Sequence, residues 1–565
     1  MTSKNPDSSS TASDRDTATR SGLSLTEPLR LPVFRRIWLA SLLSNTGLLI
    51  HGVGAAWMMM QLSSDTRMVA LVQTALMLPV MLVSLAAGAI ADMYDRRRVG
   101  IVALLISTSG AAGLTATTFL GMLTPSLLLL FCFLLGLGMA LFGPAWQASV
   151  SEQVPAEVLP QAVALNSISF NVARSIGPAV GGFVVAAAGA VSAFLLNTLS
   201  YLPMLVVLLL WRRVHTPSRL PPERMARAIT SGVRYVVHSP SIRLLLWRCL
   251  ITGIIGGCAS SLMPVVARDM LHGGAQTYGF ILGAFGVGAV SSALRISELR
   301  QRFTDEQIVS ASAIVMGVTI AIISQSTSTL LTAAAFLLTG AGWMLSITMF
   351  NVGIQLSAPR WVAGRTLAAF QTALAGGIAL GSWMWGHVAQ DHGVNTALFI
   401  AGVASILSTI LRRWLPVPVA PKDDREEVDQ GAPPIALALT GRSGPIVIEV
   451  EYNVALDDAR SFHTLMQQVE TIRSRNGAYS WSISRDITRP EIWTERYHCP
   501  TWHDYLRMRA HYTQAELAIQ DQAFAFNRSE VPVVRRMLER PFGSVRWRED
   551  TPDQGLHEVL PISTG

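Results

Sequence analysis

The sequence predicts an all-α membrane protein of twelve transmembrane helices in two six-helix halves, followed by a C-terminal α+β domain. Three observations predict it. Half of the 565 residues are apolar, only 14% are charged, and 44 are glycine, with a mean hydropathy of +0.39; that balance excludes an ordinary soluble chain. Apolar runs of roughly 20 residues recur, long enough at ~1.5 Å per residue to cross ~30 Å of hydrocarbon. Arginines gather at alternate ends of those runs, as topology signals do.

Residues 1–30 are rich in Ser, Thr and Asp and have no apolar core, so they read as a disordered tail and not as a cleavable signal peptide. Crossings are predicted near 34–61, 68–91, 99–121, 125–150, 162–187 and 190–211, then near 244–267, 278–297, 308–325, 329–356, 366–389 and 395–414. The first half is thus 31–211 and the second 244–415. One side carries Arg35 and Arg36, Arg96–Arg98, Arg212, Arg213, Arg219, Arg224, Arg227, Arg234, Arg243, Arg300, Arg302, Arg360, Arg365, Arg412 and Arg413, and the other only Arg67 and Arg268. By the positive-inside rule the first side, with both termini, is cytoplasmic in the cell membrane. The central loop 212–243 repeats Met225, Ile229, Val233 and Val236 at helical spacing beside arginines, the pattern of an amphipathic helix on a membrane surface.

A repeat at a separation of about 204 residues pairs Gly138 with Gly342, Pro155 with Pro359, Val158 with Val362, Gly177 with Gly381 and Gly182 with Gly386. It relates crossings four and five to ten and eleven, as two parallel halves would. The net charge of +7 is accounted for by the loop arginines, which leaves no basic face for nucleic acid. Cys132, Cys249, Cys258 and Cys499 have neither metal-ligand nor disulfide spacing, and no metal or cofactor is expected. No Gly-x-x-x-x-Gly-Lys-Ser/Thr is present, so no P-loop ATPase is built in.

The stretch Gly88-x-x-x-Asp92-x-x-Asp95-Arg96-Arg97-Arg98 resembles the signature loop of the major facilitator superfamily. Gly177-Pro178-Ala-Val-Gly181-Gly182 resembles its antiporter motif. The block from Pro144 to Pro178, with Asn166-Ser167, Asn171 and Arg174, looks like the branch of the enterobactin exporter and its secretion-effector relatives. Met93 and Asp95 depart from the usual basic residue and glycine, and Gly288-x-x-x-Ser292 in the second half lacks the acid. The resemblance implies a secondary exporter of a small amphipathic molecule (siderophore, drug or secondary metabolite), alternating between inward- and outward-open forms with a proton as counter-ion. It also implies that Asp92 holds the cytoplasmic side closed against the eleventh helix, which agrees with a carboxylate's preference for a helix N-terminus.

Arg174 lies 13 residues from the cytoplasmic edge at Gln161, about 20 Å deep at ~1.5 Å per residue. Two readings stand: an anion-attracting point in a substrate cavity, or a structural arginine satisfying carbonyls freed at Pro178. His51, Gln73, Asn166, Asn171, Asn351 and Gln371 are further cavity candidates; Trp57, Trp146, Trp343, Trp383 and Trp385 either stack an aromatic substrate or form interfacial belts. Glu152, Asp269 and Asp391 all fall near helix ends, so no carboxylate marks a proton site inside the bundle.

Residues 416–444 read as a Pro/Gly-rich linker, and 541–565 as a tail. Between them, 445–540 alternates as a strand at Ile446–Val454, turns helical through Phe462–Ile472, alternates again at Tyr479–Ile483 and Ile492–His498, and ends in a helix capped by Thr501. The order β-α-β-β-α suggests a ferredoxin-like sandwich. The stretch from Arg475-Asn-Gly477 to Trp502-His503 resembles the domain appended to secretion effectors, similar to the dimeric α/β-barrel monooxygenase group, which implies self-association. His498, His503 and His511 fit no catalytic spacing, so no catalytic residue is assigned. A membrane-tethered enzyme or sensor working through this domain is the alternative to transport.

Overall fold

The computed structural model describes residues 26–211, 225–418, 428, 430–528 and 532–539. The expected N-terminal tail over 1–25, Arg212, Arg213, Arg219 and Arg224, much of the linker and the C-terminal tail lie outside the described residues, as do the side chains of Asp92, Asn171, Arg227 and Arg360. The chain divides into two compact units. The first holds the described residues of Met1–Met225, Leu246–Asn351 and Ala368–Val417, and the second those of Ala226–Leu245, Val352–Leu367 and Pro418–Gly565.

The helices are α1 (Pro32–Leu62), α2 (Thr66–Met93), α3 (Arg96–Phe119), α4 (Pro125–Ser149), α5 (Leu159–Leu210), the amphipathic α6 (Met225–Val237), α7 (Pro240–Val265) and α8 (Ala275–Leu294). A short α9 (Ile296–Arg302), α10 (Asp305–Ile323), α11 (Thr329–Ser357), α12 (Ala363–His392) and α13 (Val394–Leu407) follow. Among the described residues, eleven helical stretches are long and apolar enough to cross a membrane. One of them covers most of α5, and inside α5 Gly189 takes φ 78°, ψ 171°, a conformation open to glycine but strained for other residues. The predicted break at Gly189 is therefore present as a sharp kink. Capping fixes where several helices begin: Asp65, Thr124 and Thr304 each accept a hydrogen bond from a first-turn N–H of α2, α4 and α10.

The internal repeat is visible as repeated contacts. A Cβ on Gly138 would strike Ser107 of α3, and one on Gly342 would lie 2.8 Å from Met316 of α10. Gly177 seats against Leu49 of α1, and Gly381 against Ile254 of α7. Gly182 touches Gly279 of α8, and Gly386 touches Ala70 of α2. The first two pairs thus make the same contact each in its own half, and the last pair joins the halves twice over. Helices in lipid gain little from burying apolar surface against each other, so such close approaches at small residues are what holds them together.

The second unit contains α6, the α11–α12 connection and a four-stranded antiparallel sheet. Its elements are β1 (Ile446–Asn453), α14 (Ala459–Arg475), β2 (Tyr479–Arg485), β3 (Ile492–Cys499), α15 (Trp502–Ala510), α16 (Gln514–Ala525) and β4 (Val533–Leu538), in the strand order β2-β3-β1-β4. Ile448 faces Tyr497 and Val450 faces Glu495, while Ile446 faces Leu538. The sequence reading missed α16 and β4. α16 has no single apolar stripe, although its Thr513/Glu516 capping box is present; β4 is a short, arginine-bearing edge strand whose partner lies some 80 residues upstream.

The core of this sheet domain is polar at its centre. Glu495, fully buried, accepts hydrogen bonds from Arg473 Nε (3.0 Å), Trp481 Nε1 (3.1 Å) and the Tyr452 hydroxyl (3.1 Å). Arg473 also donates to Tyr512 and to Gln520, and its guanidinium lies 4.9 Å over the Tyr497 ring. Burial pushes the neighbouring Cys499 thiol up to about 12, so it stays protonated and inert. Because every arm of the network is satisfied, Glu495→Ala strands a buried guanidinium. It is expected to destabilise the sheet domain by about 3–5 kcal/mol, measured as lost amide-exchange protection of β1 and β3 in the full-length protein.

Candidate functional site

The Gly88–Arg98 stretch is assembled from helix ends. Gly88, near the C-terminal end of α2, lies across from Ala368 of α12, where an added Cβ would stand 3.6 Å away. That is ordinary contact, so this glycine permits approach without demanding it. Asp95 is the N-cap of α3, its carboxylate accepting from Arg98 N–H at 3.0 Å. The acid where relatives of this loop have glycine is thus a helix cap, a role that Asp fills well. Arg96 Nη1 pairs with Glu152 at 2.8 Å, tying α3 to the turn after α4. Arg97 donates to the carbonyls of Leu208 and Leu209 at 2.7 and 2.6 Å, satisfying last-turn acceptors that α5 cannot satisfy itself. Arg98 is exposed.

The glycine motif of α5 is a double seam. Gly177 and Gly181 pack on α1, with a Cβ at Gly181 falling 3.0 Å from Ile50 Cα. Gly182 points the other way, where a Cβ would lie 2.6 Å from Gly279 Cα and 2.9 Å from the Ala275 carbonyl of α8. Pro178 contributes its carbonyl to the same seam, 3.1 Å from a Cβ built on Gly279. No larger side chain fits at Gly182 without driving α5 and α8 apart.

Of the cavity candidates, Arg174 is the most telling. Its Nη1 faces Met344 Sδ of α11 at 4.0 Å, so it looks from the first half toward the second, and it has no carboxylate partner among the described residues. No Asp or Glu of the first unit is buried among the described residues. His51 is fully buried, with its ring 5.2 Å from Phe194 and neither nitrogen partnered; it sits in the seam between α1 and the second part of α5. Asn166 has both amide atoms buried and unpartnered, Gln73 and Asn351 are half-buried and Gln371 is exposed. Trp385 donates to the Ile254 carbonyl at 2.9 Å and Trp343 packs on Gly256, which are packing roles, whereas Trp383 is exposed.

Two charged contacts escaped the sequence reading. At the end opposite the arginine-rich loops, Arg67 of α2 pairs with Asp391 of α12 at 3.1 Å, and Gln390 accepts from Thr66 N–H at 2.7 Å. Both charges are half-exposed, so the pair is worth about 0.2–1 kcal/mol, a clasp that opens easily. Arg248, 4% exposed in α7, pairs with Glu306 at 3.2 Å and donates to the Leu415 carbonyl. Their signal was present as rare opposite charges at helix ends, but only the fold says which end meets which. In the tail domain the histidines do not converge: His498 lies by Glu539, His503 under Gly441, and His511 stacks on Trp361 at 4.3 Å. No group of three metal-ligating side chains occurs among the described residues.

The profile of the family described as "Transmembrane secretion effector" matches residues 23–542. The multidrug efflux pump Tap of Mycolicibacterium fortuitum is 23% identical over 399 residues, 69% of this chain and 96% of that one. The enterobactin exporter EntS of Shigella flexneri is 27% identical over 272 residues, 47% and 63% of the two chains. In fold, the chain resembles a bacterial homologue of the human lysosomal transporter Spinster in its inward-facing, occupied form, with a TM-score of 0.56 and 11% identity over 71% of this chain and 99% of that one.

The α5–α8 seam is the feature most sensitive to size. Gly182→Leu is expected to lower the thermal stability of the purified protein by about 1–3 kcal/mol through overpacking, with Gly182→Ala intermediate; a melting curve unchanged by the leucine would refute the close approach.

Proposed function

The chain belongs to the transmembrane secretion effector family of major facilitator transporters, and from that premise we propose an alternating-access mechanism for it. It is a membrane-spanning secondary transporter that exports small molecules, in keeping with relatives named for multidrug efflux and for enterobactin export. The cargo we propose is a small amphipathic molecule, a siderophore, drug or secondary metabolite, moved against proton entry.

The observation that carries the mechanism is the pair of matching contacts between the halves, Gly182 on α8 and Gly386 on α2. Two halves hinged on such narrow seams rock as bodies about a cavity between them. Counting α5 as two helices about Gly189 supports twelve crossings, with both termini cytoplasmic in the inner membrane. The gate on that side is Gly88, Asp92 and Asp95–Arg98 against the start of α12, and the Arg67–Asp391 clasp closes the other side. Arg174, facing α11 without a counter-charge, is proposed to meet anionic groups of the cargo, with His51, Gln73, Asn166, Asn171, Asn351 and Gln371 as further cavity positions.

The strand order β2-β3-β1-β4 with helices between supports a ferredoxin-like domain at 445–540, of the kind that self-associates in the monooxygenase-like group. The sheet's other face carries the cross-strand pairs Glu449–Arg496 and Glu451–Arg535, a polar surface for a second copy. Its centre is filled by the Glu495 network, which favours a regulatory or assembly role over turnover.

Transport is tested by accumulation of candidate cargo in cells lacking competing efflux pumps, with and without a proton uncoupler. Asp92→Asn is expected to cut efflux at least severalfold, about 1 kcal/mol or more of gating interaction, with membrane insertion intact; undiminished efflux would remove Asp92 from the gate. Paired Arg67→Cys and Asp391→Cys substitutions, bridged by a cleavable bifunctional thiol reagent long enough to replace the arginine side chain, should stop efflux until the bridge is cleaved. Full transport in the cross-linked protein would exclude rocking at that clasp.

A further inference from the structure

The second unit brings α6, the start of α7, the end of α11 and the sheet domain around a polar pocket. It measures about 30 Å³ and is lined by Tyr235, Ser239, Ser241, Ser357, Arg475 and Thr513, room for about two ordered waters or for two oxygens of one small oxyanion. Ser239 stands immediately before α7, a helix of 26 residues. The first-turn N–H groups of such a helix have no intrahelical acceptor, and its end bears partial positive charge.

A serine at this position ordinarily turns its hydroxyl onto one of those N–H groups. Ser239 does not: the residue is 3% exposed, lines the pocket, and its Oγ has no partner. Ser357 Oγ, from the last residue of α11, is buried and unpartnered in the same pocket. Two hydroxyls withdrawn from water without partners are costly unless something accepts their hydrogens. The cation is Arg475, which lies 5.4 Å over the Tyr235 ring and shares its charge with Glu516. Arg234 reaches the same neighbourhood beside Gly477.

We propose that this pocket binds the oxygens of a phosphate group, supplied by free phosphate or by the headgroup of an anionic phospholipid. The hydroxyls of Ser239 and Ser357 donate to it, the N-terminus of α7 and the Arg475 guanidinium balance its charge, and its occupancy joins the sheet domain to the ends of α7 and α11. Phosphate prefers such a helix N-terminus for the same reasons that nucleotide phosphates do.

The test uses the full-length protein. Lipid-stripped protein in detergent is titrated with inorganic phosphate, against chloride at matched ionic strength, and read by equilibrium dialysis of radiolabelled phosphate and by thermal shift. A parallel arm places the protein in vesicles of phosphatidylcholine alone or with phosphatidylglycerol and counts tightly retained lipid. The Ser239→Ala/Ser357→Ala double variant should melt no lower than the parent without ligand, because it removes only unpartnered hydroxyls, yet lose about tenfold in affinity. Saturable binding of free phosphate that the double variant loses assigns the site to free phosphate. Retention and stabilisation by phosphatidylglycerol alone, lost in the double variant, assigns it to a lipid headgroup. If neither probe binds the parent, or the double variant binds as the parent does, the proposal is overturned.

Discussion

Everything in the membrane-spanning unit depends on how near two helix backbones can come. Water drives apolar surfaces together in a soluble core, but a hydrocarbon solvent offers apolar helices no such gain, and dispersion at short range has to replace it. The glycines at 182 and 279 let α5 and α8 touch backbone to backbone, and Gly386 seats the Ala70 methyl of α2 against α12. The closest approaches along these seams are at small residues, and the α2–α12 seam ends in the Arg67–Asp391 pair. They bind the halves while leaving each free to tilt, which is what exchange between two open faces requires.

Apart from Arg174, the ion pairs described in this bundle gather toward the helix ends, where charge costs least. At one end Asp95, Arg96 and Arg97 are spent on helix caps and on Glu152. At the other the half-exposed Arg67–Asp391 clasp, with the Thr66–Gln390 hydrogen bond beside it, links the halves. Between the ends Arg174 is the conspicuous charge, facing Met344 of α11 with no buried acid of this unit among the described residues, which supports its proposed role toward anionic groups.

The sheet domain shows the opposite economy. Its centre is a buried ion pair with both carboxylate oxygens of Glu495 and the Nε and Nη1 of Arg473 engaged, which makes it chemically quiet. Around its edge it gathers α6 and the α11–α12 connection into one unit through the Tyr235–Trp361–His511 ring contacts. The family profile runs through this domain to residue 542, which marks it as part of the family's pattern and not as an incidental appendage.

The sequence by itself determined the succession of long apolar helices, the repeat and the first three strands, because length, hydropathy and period are local properties that lipid and backbone geometry read directly. It also marked Asp95, the Arg96–Arg98 cluster and the α5 glycines as special. Only the tertiary structure decided what each of them meets: Asp95 its own helix, Arg97 the end of α5, Gly182 a second glycine about a hundred residues downstream, Arg67 an aspartate 324 residues away. Edge strand β4 and the stripe-less helix α16 were hidden for the same reason. A contact between distant segments is fixed by how whole helices and strands pack, and no window of neighbouring residues contains that information.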